Sequence, residues 1–291
     1  MTSAAPRRRA SVGAVLLVLT ALAASACADD RPPTLLDQRS VSVGVKNDQP
    51  GTGEEAAYKF AGFDVTVARH LLEEVGAKGH FSSVPSENRS QVIADGDQDL
   101  VAATFSITPT RMKDTDFIGP YATTSQGVMI RNKDAGRIKK LEDLKGRAVC
   151  TWKGAISFDE LNREAYRSIS VYQVADASRC IDDLRAGRAT AVSTDQMILY
   201  GFTQKYPELH VVPGIVVGSP NDYGIAIAKK YRADCRKLSD KLRDYLNGTD
   251  WERDFALSLP SIANHVQNWQ TEFKPSAESV GQLSCRDAPA A

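Results

Sequence analysis

The sequence is short of histidine and aromatic residues, holds five cysteines, and carries no excess charge of either sign. Each shortage excludes something. The four histidines, His70, His80, His210 and His265, have no ligand spacing and none lies near a cysteine, so no zinc site or other metal is expected. Lys plus Arg and Asp plus Glu number 36 each, with no basic block or basic–aromatic interleaving, which excludes the electrostatic footprint of a nucleic-acid binder. After Ala24 no apolar run is long enough to span a bilayer. No nucleophile–base motif is present. An acid or base among the many carboxylates is the catalytic alternative, and nothing singles one out. No cofactor is expected.

What is present begins with an export signal. Arg7, Arg8 and Arg9 precede an apolar stretch, Val12 to Ala24, too short for a comfortable span. The following Ala24-Ser25-Ala26-Cys27 resembles a bacterial lipobox, with Ala24 where Leu is usual. Residues 1–26 are therefore read as a lipoprotein signal peptide, Cys27 as the lipidation site and 27–37 as a tether, polar and Pro-containing from Asp29 to Thr34. The competing reading is an ordinary signal with a chance cysteine. Removal of the signal leaves about 260 residues, enough for two lobes and slightly acidic.

A β-α-β-α-β alternation follows. Val41 to Val45 is a strand entering a Gly-, Asp- and Pro-rich loop from Lys46 to Gly53. Gly62-Phe63-Asp64-Val65 opens an amphipathic helix that Gly76 stops. His80–Val84 is a strand, Arg89–Asp95 a helix and Leu100–Ala103 a strand. Thr123–Ile130 reads as an extended exit. The alternation then restarts with helix Ile138–Lys145, strand Arg147–Thr151, helix Ser157–Ala165, strand Ile169–Val174, helix Ala177–Ala186, strand Thr190–Ser193 and helix Gln196–Lys205. Tyr223–Ala228 is a strand returning to the first lobe, and Ala233–Leu246 and Asp250–Leu257 are closing helices. The pattern predicts an α/β fold of two lobes, lobe 1 from 38–124 and 223–287 and lobe 2 inserted as 125–222, joined by two extended crossings.

Apart from Cys27, the cysteines are Cys150, Cys180, Cys235 and Cys285, an even number in an exported chain. Of three possible pairings, Cys150–Cys180 with Cys235–Cys285 keeps each bridge inside one predicted lobe; free buried thiols are the alternative.

One segment points to chemistry. In Thr104-Phe105-Ser106-Ile107-Thr108-Pro109-Thr110-Arg111 a single Arg follows small hydroxyl residues sharing one bend after a strand. Arg offers a planar charged fork for a carboxylate, and hydroxyls and turn amides fill its remaining lone pairs. Lys46, Ser86, Thr104 to Arg111, Gly154 to Ser157 and Asp195 all follow predicted strands and so converge on the crevice between lobes.

With these landmarks, and with Phe117-Ile118-Gly119-Pro120-Tyr121, Leu141-Glu142-Asp143-Leu144-Lys145-Gly146, Leu184 to Ala191 and Tyr223-Gly224-Ile225-Ala226-Ile227, the chain resembles family 3 of the bacterial extracellular solute-binding proteins, which serve ABC importers of polar amino acids. The resemblance covers nearly all of the chain after the signal. It implies a type II periplasmic-binding-protein-like clam-shell and a monomer working with a permease and an ATPase. It also implies that Arg111 clamps the ligand α-carboxylate, Thr104 and Ser106 lie on the α-carboxylate and α-amine, and Asp195 takes the α-ammonium. In the glutamate/aspartate type, the places of Lys46, Ser86 and Arg89 hold the distal carboxylate. The physics agrees, since spare cations beside a neutral substrate would be left uncompensated. One departure is Trp152-Lys153-Gly154-Ala155-Ile156-Ser157, where relatives carry Gly-Thr-Thr or Gly-Ser-Thr: the amides of Gly154 to Ser157 remain as an anion site, while Lys153 or Trp152 alters the pocket.

The expected function is a lipid-anchored, extracytoplasmic binding protein capturing glutamate or aspartate by hinge closure. The alternatives are a glutamine/asparagine binder, a sensory module signalling to a separate partner, and an enzyme on the same fold.

Overall fold

Strict alternation of apolar residues decides which side of each strand meets which helices. The computed structural model describes residues 1, 2 and 34–289. The predicted signal peptide from residue 3 on, Cys27 and the tether up to residue 33 lie outside the described residues.

Strand β1 (Ser40–Val45) is followed by β2 (Asp48–Gln49), β3 (Gly53–Ala56), β4 (Lys59–Ala61), α1 (Phe63–Glu73), β5 (Lys78–Ser83), α2 (Arg89–Asp95), β6 (Leu100–Ala102) and the one-turn α3 (Pro109–Met112). The long β7 (Thr115–Arg131) leads to β8 (Ala148–Trp152), α4 (Ile156–Leu161), β9 (Ser170–Val174), α5 (Ala177–Arg185), β10 (Ala191–Asp195), α6 (Gln196–Lys205) and β11 (Leu209–Val211). Strand β12 (Val217–Ala228) returns, and α7 (Arg232–Asn247), α8 (Asp250–Ser258), α9 (Pro260–His265), α10 (Trp269–Phe273) and α11 (Ala277–Leu283) follow.

The main sheet runs β5-β1-β6-β12-β7-β10-β8-β9, with β11 also on β7. It is two sheets sharing one ribbon. At one end β5, β1 and β6 are parallel, and β12 and then β7 add antiparallel. At the other end β7 carries β10, to which β8 and β9 add in parallel. In between, Thr123 and Thr124 face Asp222 and Asn221, and the ladder slips before resuming at Gln126–Val217. This short antiparallel stretch is the double crossing that makes lobe 2 an insertion in lobe 1.

Each lobe is a three-layer α/β sandwich, as period-two patterning requires. On β6 and β12, Leu100, Ala102, Ile225 and Ile227 enter one buried cluster, while Val101 and Ala226 enter the cluster on the opposite face. In lobe 2, Met129, Cys150 and Val192 face one side, and Val128, Ile130, Val149 and Ala191 the other. Both favoured disulfides are formed, Cys150–Cys180 and Cys235–Cys285, with Cα separations of 5.6 and 5.8 Å. Each lies within one lobe.

The structure departs from the sequence-based expectation in several places: α4 ends at Leu161 rather than Ala165, and α9, α10 and α11 follow the two closing helices expected. Residues 138–145 hold only a 3₁₀ turn, Leu141–Leu144, because the Asp143 carboxylate accepts the N–H groups of Lys139 and Lys140 and so competes with a helix. The loop after β1 contains a three-stranded sheet, β2-β3-β4. No described helix is long and apolar enough to cross a membrane.

Candidate functional site

The carboxyl ends of β1, β6, β8 and β10 open on the space between lobes, so the residues just after them meet there. Gln49, Ser86, Arg89, Thr104 and Ser106 from lobe 1 face Trp152, Ala155, Ile156, Thr194, Asp195 and Ile198 from lobe 2 around a narrow cavity of about 10 Å³. That is room for about one water molecule. An amino acid can enter only if the lobes part.

The lobe 1 wall is built on a strained corner. Thr104 has φ +45°, unfavourable for a β-branched residue. It is held by fully buried Asp64, whose carboxylate accepts the Thr104 N–H at 2.8 Å and the Tyr121 hydroxyl at 2.7 Å. The Gly62-Phe63-Asp64 segment therefore begins a helix and fixes the binding loop together. Burial pushes the Asp64 carboxyl up to about 7, against these two hydrogen bonds and the nearby charge of Arg89.

Two guanidinium groups project from this wall, each 4.6 Å from the centre of the Phe105 ring. Buried Arg89 donates through Nε to the Ser86 carbonyl (2.9 Å), through Nη1 to those of Ala103 (2.8 Å) and Thr104 (2.9 Å), and through Nη2 to Gly154 (2.7 Å). One of its N–H groups is left uncommitted. Arg111 donates to the Ser106 carbonyl (2.8 Å) and to Gly154 (3.1 Å), which leaves it the larger free capacity. Burial lowers both, Arg89 to about 9 with Arg111 as the second cause, and Arg111 to about 10 against the pull of Asp195. Both stay charged at neutral pH.

The lobe 2 wall is mostly apolar, with one anion. Asp195, at the end of β10 and the start of α6, accepts from Asn221 Nδ2 (2.6 Å) and from the Tyr223 hydroxyl (2.7 Å), both on β12. Burial raises its carboxyl, opposed by those two bonds and by the charges of Arg89 and Arg111. Its unused lone pairs can take an ammonium.

Several cross-lobe contacts close the seam. The Gly154 carbonyl receives both arginines, and a Cβ on Gly154 would stand 2.5 Å from the Ser86 carbonyl oxygen. On α6, a Cβ at Gly201 would stand 1.8 Å from the Pro50 oxygen. Asp48 accepts the Ser178 N–H at the start of α5 (3.1 Å), and Lys153 lies 3.8 Å from Glu87.

The expected site residues are thus sorted. Ser86, Arg89, Thr104, Ser106 and Asp195 line the cavity, and Arg111 and Gly154 meet at its rim. Lys46 is buried but absent from the wall: its ammonium sits 3.4 Å from Asp48, and burial lowers it against that ion pair. Ser157 is buried with its hydroxyl 2.9 Å from that of Thr151. Trp152 and Ile156 line the cavity, while Lys153 stays outside on Glu87. Residues missed by sequence reasoning are Gln49, Tyr121, Asn221 and Ile198. Only Gln49 had a signal, its place in the loop after β1.

Comparison with known proteins agrees with this architecture. The chain is 31% identical over 265 residues to the glutamate-binding protein GluB of Corynebacterium glutamicum, covering 84% of this chain and 89% of that one. It is 28% identical over 220 residues to the ABC transporter glutamine-binding protein GlnH of Bacillus subtilis, 74% and 79% of the two chains. The crystal structure of the solute receptor for L-cysteine of Neisseria gonorrhoeae superposes with a TM-score of 0.74 at 22% identity, over 83% of this chain and 98% of that one, and shows the same type II periplasmic binding fold. Residues 41–251 match the sequence pattern of one family, and the chain belongs to it: the bacterial extracellular solute-binding proteins, family 3.

Proposed function

We propose that the protein is the substrate-binding lipoprotein of an ABC importer, capturing an acidic amino acid, glutamate or aspartate, and presenting it to a membrane permease and its ATPase. The observation that carries this reading is that buried Arg89 of one lobe and buried Asp195 of the other line a single cavity, with the half-buried guanidinium of Arg111 beside Arg89 on the Phe105 ring. A zwitterion with an acidic tail carries two negative charges and one positive, the complement of that set. Arg111, with the larger uncommitted donor capacity, takes the α-carboxylate; Asp195 takes the α-ammonium; Ser86 and the remaining N–H of Arg89 face the distal carboxylate. Thr104 and Ser106 shape the corner between them.

The division into lobe 1 (38–124, 223–287) and lobe 2 (125–222) makes the ligand itself the bridge that stabilises closure, and contacts made to both lobes shift the population. The relative named for glutamate binding supports the substrate class. Lipidation at Cys27 would hold the protein outside the cell as a monomer, with no catalytic step. A second reading, glutamine, is favoured by one observation: Lys46 is absorbed by Asp48, which reduces the positive charge facing the ligand tail.

A thermal-shift screen of the twenty amino acids tests the proposal, followed by calorimetry on those that stabilise the fold. Glutamate or aspartate should raise the melting temperature most. Stabilisation by arginine or lysine alone would overturn the acidic reading.

A further inference from the structure

Two cavity-lining side-chain atoms are buried without any hydrogen-bond partner, Ser86 Oγ and Gln49 Nε2. Ser86 belongs to the reading above. Gln49 does not, and a fully buried amide nitrogen left unpaired is costly unless something else accepts from it.

We propose that Gln49 is the residue that sets ligand specificity: its side-chain N–H donates to an oxygen at the far end of the bound amino acid, beside Ser86 and Arg89. The inference rests on the reading of the cleft as an amino-acid site and assigns to a neutral amide a task that the sequence had suggested for Lys46.

The amide oxygen faces Thr104, whose hydroxyl lies 3.1 Å from Gln49 Oε1. That hydroxyl also lies 2.8 Å from the Ala103 carbonyl, whose other lone pair takes an Arg89 N–H. With the oxygen half beside a hydroxyl, the donor half of the amide is the one without a partner. The backbone is fixed as well. The Gln49 carbonyl accepts from the Thr52 N–H (3.2 Å) and hydroxyl (3.3 Å), and Gln49 pairs with Gly53 between β2 and β3. The next residue, Pro50, seats its carbonyl on Gly201 of the opposite lobe. The same turn thus carries the donor and makes a closure contact, so Gln49 reaches the ligand as the lobes meet.

Gln49, Ser86 and the remaining N–H of Arg89 together present donors to the ligand tail. That set accepts a carboxylate or an amide carbonyl and rejects an ammonium or guanidinium, which would bring more donors and no acceptor.

The test uses Gln49→Glu and Gln49→Met. Gln49→Glu is nearly isosteric, keeps an oxygen for the Thr104 hydroxyl and turns the free donor into an anionic acceptor. Calorimetric titration with glutamate and glutamine should show glutamate affinity falling ~100-fold or more, while glutamine, which can offer its own amide N–H to the new carboxylate, loses less than ~10-fold. Gln49→Met keeps the volume and removes the donor; glutamate affinity should fall ~10-fold without loss of the thermal transition. An unchanged glutamate-to-glutamine ratio in Gln49→Glu, or unchanged glutamate affinity in Gln49→Met, overturns the assignment and leaves the acidic-ligand reading standing. If Gln49→Glu does not fold, Gln49→Met decides alone. Failure of the wild-type protein to bind either amino acid overturns the reading of the cleft, and the role of Gln49 with it.

Discussion

The two walls of the cleft are built from opposite chemistry. The lobe 1 wall is donor-rich, with Gln49, Ser86, Arg89, Thr104 and Ser106 set on a corner that Asp64 and Tyr121 hold in place. The lobe 2 wall is Trp152, Ala155, Ile156, Thr194 and Ile198, mostly apolar, with Asp195 as its one charged group. On the function proposed above, the difference divides the labour: one lobe would recognise anionic groups, and the other would seal them from water and supply the counter-charge. A donor-rich wall facing bulk water discriminates weakly because water competes for every donor; the apolar wall raises the value of each hydrogen bond behind it.

The sharpest way to break this comparison is to blunt the recognising wall. Arg111→Ala removes the guanidinium with the most free donors and leaves a ligand carboxylate buried without its partner. Binding of any α-amino acid should weaken by ~1000-fold or more, to the limit of calorimetric detection. Retained affinity would transfer the clamp to Arg89.

Damage to the sealing wall should look different. Gly201→Ala places a methyl group where the Pro50 backbone carbonyl sits, so the two lobes cannot meet this way without a backbone shift. Affinity for every ligand should fall together, by about 10- to 100-fold, because the binding-competent population is reduced rather than any one contact. Small-angle scattering should show a larger radius of gyration at saturating ligand than in the wild type. The melting temperature without ligand should hold or rise slightly, since Ala favours a helix over Gly. A selective loss for one amino acid would contradict the division of labour.

The remaining comparison is read in stability rather than affinity, at the corner that supports the recognising wall. The folded-state value of Asp64, about 7, lies above the ordinary carboxylate value of the unfolded chain. Between about pH 4 and 7 the folded state therefore holds the extra proton, and this group's contribution to stability declines as pH rises through that window, by up to ~4 kcal/mol. Asp64→Asn keeps an acceptor for the Thr104 N–H and cannot ionise. Its denaturation midpoint should vary less between pH 5 and pH 8 than that of the wild type, as measured by chemical denaturation at both.

The parts of the molecule that the sequence discloses are those governed by local rules. Helices Arg89–Asp95 and Gln196–Lys205 follow from periodicity, and the two lobes follow from repeated β-α alternation. Arg111 and Asp195 were visible because charged residues just after strands fall in the crevice. What stayed hidden depends on distant partners. Lys46 is drawn from the cavity by Asp48, which also bonds α5 of the other lobe. The Ser157 hydroxyl turns to Thr151. Gln49, a neutral residue in a loop, gains meaning only when the fold buries its amide beside Thr104 with the nitrogen unpartnered. Two of the last three helices carry start signals in the sequence, Pro260 at a first helical position of α9 and Ser276 as the cap of α11, where it accepts the Ser279 N–H.

Asp195 is steadied from another strand. The side chains that steady its carboxylate, Asn221 and Tyr223, belong to β12, the strand that returns from one half to the other, whereas Asp195 itself ends β10. Neither donor lines the cavity, so damage to that returning strand would reach the anion of the cleft without touching its wall.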